Sequence, residues 1–173
     1  MDKNITKLIS QSAIKNVIIG LGATITHDYR NKDLTIVCLL DGSMVFTAHL
    51  LQQIKIPVNL FSIKVSSYNG TKSTGQLKYD NLDLHYCKDK HILLIDDILD
   101  SGLTLSSIIK EVEKAGASSI RTCVLLHKQV DRSIVIEPDY KAFDIENEFV
   151  VGFGMDYNGL YRNLPYIGVL KDK

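Results

Sequence analysis

Three apolar runs constrain this chain more than any other feature: Leu34–Leu40, Ile92–Ile95 and Ile120–Leu126. A strand with one wet face alternates polar and apolar residues, whereas a strand covered on both faces reads as a near-continuous apolar run. Val58–Val65 is a fourth candidate strand, more mixed in polarity and so nearer an edge. Helical spacing fills the intervals. Leu105, Ile108, Ile109, Val112 and Ala115 recur at i, i+3, i+4 and i+7, and Gly116 supplies a stop. Met44–Ile54 shows a weaker version of the pattern. Ile5–Leu21 predicts an opening helix that ends near Gly20-Leu21-Gly22. The order strand–helix–strand, twice over, implies the α/β class: a mainly parallel twisted sheet flanked by helices, with right-handed crossovers.

The length of 173 residues suits one domain over 1–173, and no repeat, linker or low-complexity stretch divides it. Twenty basic residues balance twenty acidic ones, which argues against a nucleic-acid partner. No stretch is long and apolar enough for a membrane helix, and the N-terminus shows no secretory signal, so the expected location is cytoplasmic. Cys38, Cys87 and Cys123 have no CxxC spacing and read as buried, reduced thiols. The five histidines form no HxxxH pair, which argues against zinc.

Open α/β sheets bind ligands beyond the carboxyl ends of their strands. The residues following each candidate strand are Asp41-Gly42-Ser43, the polar stretch Ser66–Gln76, Asp96 to Thr104, His127-Lys128, and Gly152 to Asp156. The stretch at 96–104 says most. Asp96, Asp97 and Asp100 are three carboxylates within five residues, followed by Ser101-Gly102-Leu103-Thr104 and a helix. Hydroxyls, a glycine and the free N–H groups of a helix start form a phosphate cradle. The acids suit a magnesium ion, sugar hydroxyls or proton transfer. A solvated Asx cap would explain one of these acids but not three on the lip of a buried strand. The implied ligand is a phosphorylated sugar. No GxxxxGK[ST], GxGxxG or GxSxG motif competes.

Residues Ile92 to Thr104 resemble the phosphoribosyl pyrophosphate (PRPP) motif of the type I phosphoribosyltransferases. The Ser67-Tyr68 dipeptide, Phe149 to Asn158 and Tyr161-Arg162-Asn163-Leu164 are similar to the hypoxanthine(-guanine) members of that group, over about Leu34 to Leu170. The resemblance implies a small hood and a flexible lid beside the sheet. Asp96 and Asp97 would hold the ribose hydroxyls with magnesium, and Asp156 a second magnesium. Asp100 would act near N7 of the purine as general base or hydrogen-bond partner. Ser101, Gly102, Leu103 and Thr104 would bind the 5′-phosphate. Asp41, Gly42 and Ser43 would form the pyrophosphate loop, joined by Arg162. Lys128 would donate to the base O6, Phe149 would stack on the base, and Val150 would meet its edge through the backbone. Ser67 and Tyr68 would close the lid.

The implied reaction joins a 6-oxopurine to PRPP in a homo-oligomer, dimer or tetramer. The alternatives are a xanthine-preferring enzyme and a PRPP- or nucleotide-sensing regulator on the same fold. Two positions depart from the family pattern: Asp41 stands where Lys is frequent, and Asp96 where Glu is usual.

Overall fold

The computed structural model describes residues 4–67, 77–80, 84–132 and 134–171. Among the described residues, nine strands and three helices follow in the order β1 (Ile5–Ile9), α1 (Gln11–Asp28), β2 (Leu34–Leu40), α2 (Met44–Leu51), β3 (Val58–Ser67), β4 (Leu77–Asp80), β5 (His91–Leu99), α3 (Leu103–Lys114), β6 (Ser119–Lys128), β7 (Tyr140–Ile145), β8 (Val150–Val151) and β9 (Ile167–Leu170), with a 3-10 turn at His85–Cys87. The large sheet has the order β4-β3-β2-β5-β6-β7. Its β3, β2, β5, β6 and β7 are parallel, and only the edge strand β4 runs antiparallel, against β3. The expected α/β sheet is therefore present, with its four candidate strands where the apolar runs lie.

Alternation along β5 explains why that run is continuous. Leu93 and Ile95 point into a core with α1 and α2, packed among Ile14, Ile18, Ile25, Phe46 and Leu50. Ile92 and Leu94 point to the other face, among Leu105, Ile108 and Val112 of α3. Each face is covered by helix, so every position is apolar. Truncating Ile108 to Ala, fully buried here, would cost about 2–5 kcal/mol.

The opening helix is corrected by the structure. Ile5–Ile9 is strand β1, paired antiparallel with β9 in a small sheet of order β1-β9-β8. The helix starts only after Ser10, whose Oγ accepts from the Ala13 N–H at 3.2 Å. Nor do Gly20 and Gly22 stop it: α1 continues to Asp28. Gly22 has a packing role, because a Cβ there would lie 2.3 Å from the Cβ of Gln53. α3 begins and ends on glycines with positive φ, Gly102 at 80° and Gly116 at 84°.

The three cysteines are free and buried, as expected. Among the described residues, no helix is long and apolar enough to cross a membrane.

Candidate active site

The carboxyl ends of β2 and β5 and the start of α3 enclose a cavity of about 290 Å³. Its walls include Leu39, Leu40, Gly42, Val65, Asp96, Asp97, Asp100, Ser101, Gly102 and Thr104. Residues read from three separate segments thus converge on one crevice.

Asp96 and Asp97 are not in a loop. β5 continues to Leu99 because its pairing with β6 continues, Ile98 opposite Leu126 and Leu99 opposite His127. The two acids are therefore held by the sheet. Asp96 is buried, and its Oδ1 accepts from the Asp97 N–H at 3.0 Å. Burial pushes its carboxyl well above the usual range, and the neighbouring Asp97 charge pushes it further. Asp97 is also raised by burial, with the nearby Arg162 charge pulling the other way. Two adjacent carboxylates that resist ionising together are poised for a cation. A Cβ on Gly42 would lie 2.0 Å from Asp97 Oδ2, so only glycine lets that carboxylate into the crevice.

Asp100 leaves the sheet edge and is exposed, and Lys128 at the end of β6 is buried. The Lys128 Nζ donates to Asp100 Oδ2 at 2.9 Å. Ser101 and Thr104 line the cavity, whereas the Leu103 side chain is exposed to solvent and absent from its walls. What Leu103 offers is its backbone N–H, here bonded to Ser101 Oγ at 3.3 Å. Gly102 packs beneath Ile134, with a Cβ placed 3.0 Å from that carbonyl. The first-turn N–H groups of α3 have no carbonyl within the helix, the usual condition for anion binding.

The Ser43 hydroxyl turns inward. The residue is fully buried, and its Oγ donates to the Leu39 carbonyl at 2.6 Å. What this loop presents outward is its backbone and the Asp41 side chain. Asp41 is exposed and lies 3.5 Å from Lys64 Nζ.

The hood meets this crevice from the small sheet. A Cβ on Gly154 would lie 2.1 Å from the Gly42 carbonyl. Arg162 donates to the Gly154 carbonyl at 2.6 Å and pairs with Asp156 at 2.8 Å. The other Asp156 oxygen accepts from the Gly159 N–H at 2.7 Å, within a turn where Asn158 and Gly159 both have positive φ. Asp156 is thus engaged on both oxygens, and among the described residues no group of three His, Cys, Asp or Glu gathers as a metal cage.

Phe149 is half-buried, edge-on to Tyr157 at 5.6 Å between ring centroids. Its carbonyl accepts from Leu170 N–H of β9. Strand alternation then turns the N–H and C=O of Val150 away from β9, toward the open edge of the small sheet. Ser67 ends β3, opposite Leu77; Tyr68 lies outside the described residues.

Lys64, Arg132 and Asp144 carry no local signal in the sequence, yet the fold brings them to this region. Lys64 ends up beside Asp41 through strand register alone. Arg132 donates to the Lys128 carbonyl, and Asp144 bonds His127 at 3.1 Å.

Residues 5–158 match the family model described as phosphoribosyl transferase domain. The chain is 40% identical over 167 residues to a hypoxanthine-guanine phosphoribosyltransferase of Streptococcus pneumoniae, covering 96% of this chain and 93% of that one. It is 42% identical over 174 residues to the protein of the same name in Lactococcus lactis, covering 99% and 94%. The crystal structure of a hypoxanthine phosphoribosyltransferase from Staphylococcus aureus superposes with a TM-score of 0.90 at 39% identity, over 97% of this chain and 92% of that one.

Proposed function

The chain belongs to the phosphoribosyltransferase family, and on that premise we propose that it salvages purines by transferring the 5-phosphoribosyl group of PRPP to hypoxanthine, and to guanine, giving IMP or GMP and pyrophosphate. The observation that carries this reading is the Lys128–Asp100 pair at the rim of the acid-lined cavity. An ammonium only donates, so it suits the O6 acceptor of a 6-oxopurine and disfavours the 6-amino group of adenine. In this reading the carboxylate beside it takes the imidazole proton.

In this scheme the purine nitrogen attacks C1′ of the ribose, the bond from C1′ to the pyrophosphate oxygen breaks, and the purine proton passes to Asp100. Positive charge develops on the ribose ring as the leaving group departs. The Ser101–Thr104 backbone and hydroxyls hold the 5′-phosphate. Gly42 and the neighbouring backbone, with Arg162, hold the pyrophosphate. Phe149 stacks on the base, an interaction of about 1–3 kcal/mol that retains a purine without choosing among purines. Val150 adds backbone contacts along the base edge. Ser67 and Tyr68 act as the lid.

Asp96 and Asp97 suit magnesium, since that ion is typically bound by one or two carboxylates plus substrate oxygens and water. When bound, magnesium offsets the negative charge of the pyrophosphate. Asp156 would join a second ion only by exchanging the Arg162 contact. The reading extends to one domain over 1–173, acting as a cytoplasmic homo-oligomer, dimer or tetramer, on the strength of the family resemblance.

The test is IMP formation from purified protein, PRPP, magnesium and hypoxanthine. The expected result is turnover that disappears in Asp100→Ala and in chelator. Absence of turnover with hypoxanthine, guanine and xanthine alike would overturn the reading.

A further inference from the structure

The loop proposed for pyrophosphate carries a negative side chain. Asp41 follows Leu40 at the end of β2 and precedes Gly42, which lines the cavity. A carboxylate at this place repels a polyanion unless a cation offsets it. The register of the large sheet supplies one. β2 and β3 run parallel with Leu40 opposite Lys64, so the side chains at 41 and 64 reach the same rim. The Lys64 ammonium lies 3.5 Å from Asp41 Oδ2, and the two side chains are 53% and 49% exposed. Two other cations at this rim have closer engagements. Lys128 is buried against Asp100, and Arg162 holds Asp156 and the Gly154 carbonyl. An exposed pair at this distance contributes little to stability, so its lysine can change partner freely.

We infer that Lys64 is the cation of the pyrophosphate loop. Asp41 holds the Lys64 ammonium until PRPP binds, and the diphosphate then takes it over. The neighbouring strand then provides the charge that the loop itself lacks. This rests on the function proposed above and names a further binding residue for it.

Two measurements test it. Calorimetry with magnesium and pyrophosphate reads the site without turnover: Lys64→Gln should weaken pyrophosphate binding about 10- to 100-fold, the usual scale for losing one charged hydrogen bond. Steady-state kinetics should show the KM for PRPP rising by a similar factor in Lys64→Gln, with the KM for hypoxanthine within about twofold of the parent. Lys64→Arg should stay near the parent. Lys64→Asp should be worse than Lys64→Gln, and adding Asp41→Lys to it should recover most of the loss, with thermal melting confirming that each variant folds. Unchanged pyrophosphate binding in a folded Lys64→Gln protein overturns the inference, as does an equal rise in both KM values. An enzyme that binds pyrophosphate through Lys64 yet turns over no 6-oxopurine would sink the proposed activity and leave this inference standing.

Discussion

Lys128 donates to Asp100 across 2.9 Å, joining an ammonium almost out of water to a carboxylate half in it. The two side chains are 10% and 55% exposed, so the lysine depends on the pair more than the aspartate does. Removing the carboxylate leaves a buried cation without its partner. Asp100→Asn and Asp100→Ala therefore separate two roles. The amide still accepts from Lys128 but takes no proton, so kcat should fall about 10²- to 10⁴-fold with little change in Tm. The alanine variant should lose kcat and Tm together. Near-parental kcat in Asp100→Asn would remove the proton-transfer role.

Lys128 should also govern base choice. Lys128→Gln keeps a polar group but loses the charge and presents an acceptor as well as a donor. The kcat/KM for hypoxanthine should drop about 10- to 100-fold, the range for one hydrogen bond from a charged group. The gap between hypoxanthine and adenine should narrow in the same assay. A selectivity that survives the substitution would place the discrimination elsewhere.

Stability and activity should oppose one another at Asp96. Burial, and then the Asp97 charge, disfavour its ionised form. Asp96→Asn keeps an oxygen to accept from the Asp97 N–H and sheds the charge. In chelator, Tm should rise by about 2–4 °C, which for a chain of this length corresponds to roughly 1 kcal/mol. Turnover with magnesium should be lost by more than about 100-fold. A variant that is less stable than its parent would show that the acidic pair is not a source of strain.

At the far end of the sheet, Tyr140 donates to Asp28 at 2.7 Å, and Arg121 donates to both of them. The Asp28 carboxyl is lowered first by the Tyr140 hydrogen bond, with further help from His27 and Arg121. Burial raises the Tyr140 phenol to about 12, so it stays a donor through neutral pH. A carboxylate lowered on folding contributes stability that is present above its ordinary value of 3.8 and is lost as pH falls through the lowered one. Tyr140→Phe should cost about 1 kcal/mol above roughly pH 5. The difference in Tm should shrink as the pH falls below the ordinary carboxylate range. A difference that does not vary with pH would mean that the hydroxyl acts by packing alone.

What could be read from the chain was what depends on neighbours in sequence. β2, β5 and β6 announce themselves because both faces of each are covered, β3 is more mixed because much of it is exposed, and the Asp96–Thr104 cluster is contiguous. The expected helix over Ile5–Leu21 failed because Ile5, Leu8 and Ile9 fit helical spacing as well as strand pairing. Only β9, more than a hundred residues away, decides between them. Gly20 and Gly22 looked like stops, but Gly22 answers to Gln53 across a helix–helix contact. The Asp41–Lys64 pair needs the register of two strands, which no local pattern contains. The inward turn of the Ser43 hydroxyl needs the position of the Leu39 carbonyl.

The contact between Gly42 and Gly154 has a consequence for how this site can change over time. Main chain meets main chain there, and a methyl group at 154 would fall 2.1 Å from the carbonyl of Gly42. At 42 itself, a methyl would fall on the Asp97 carboxylate. No smaller residue exists, so a change at one position has no compensating change at the other. Paired substitutions, the usual trace of two residues that touch, cannot arise between them. The junction of hood and sheet would therefore be silent to any method that infers contacts from correlated change, although the site depends on it.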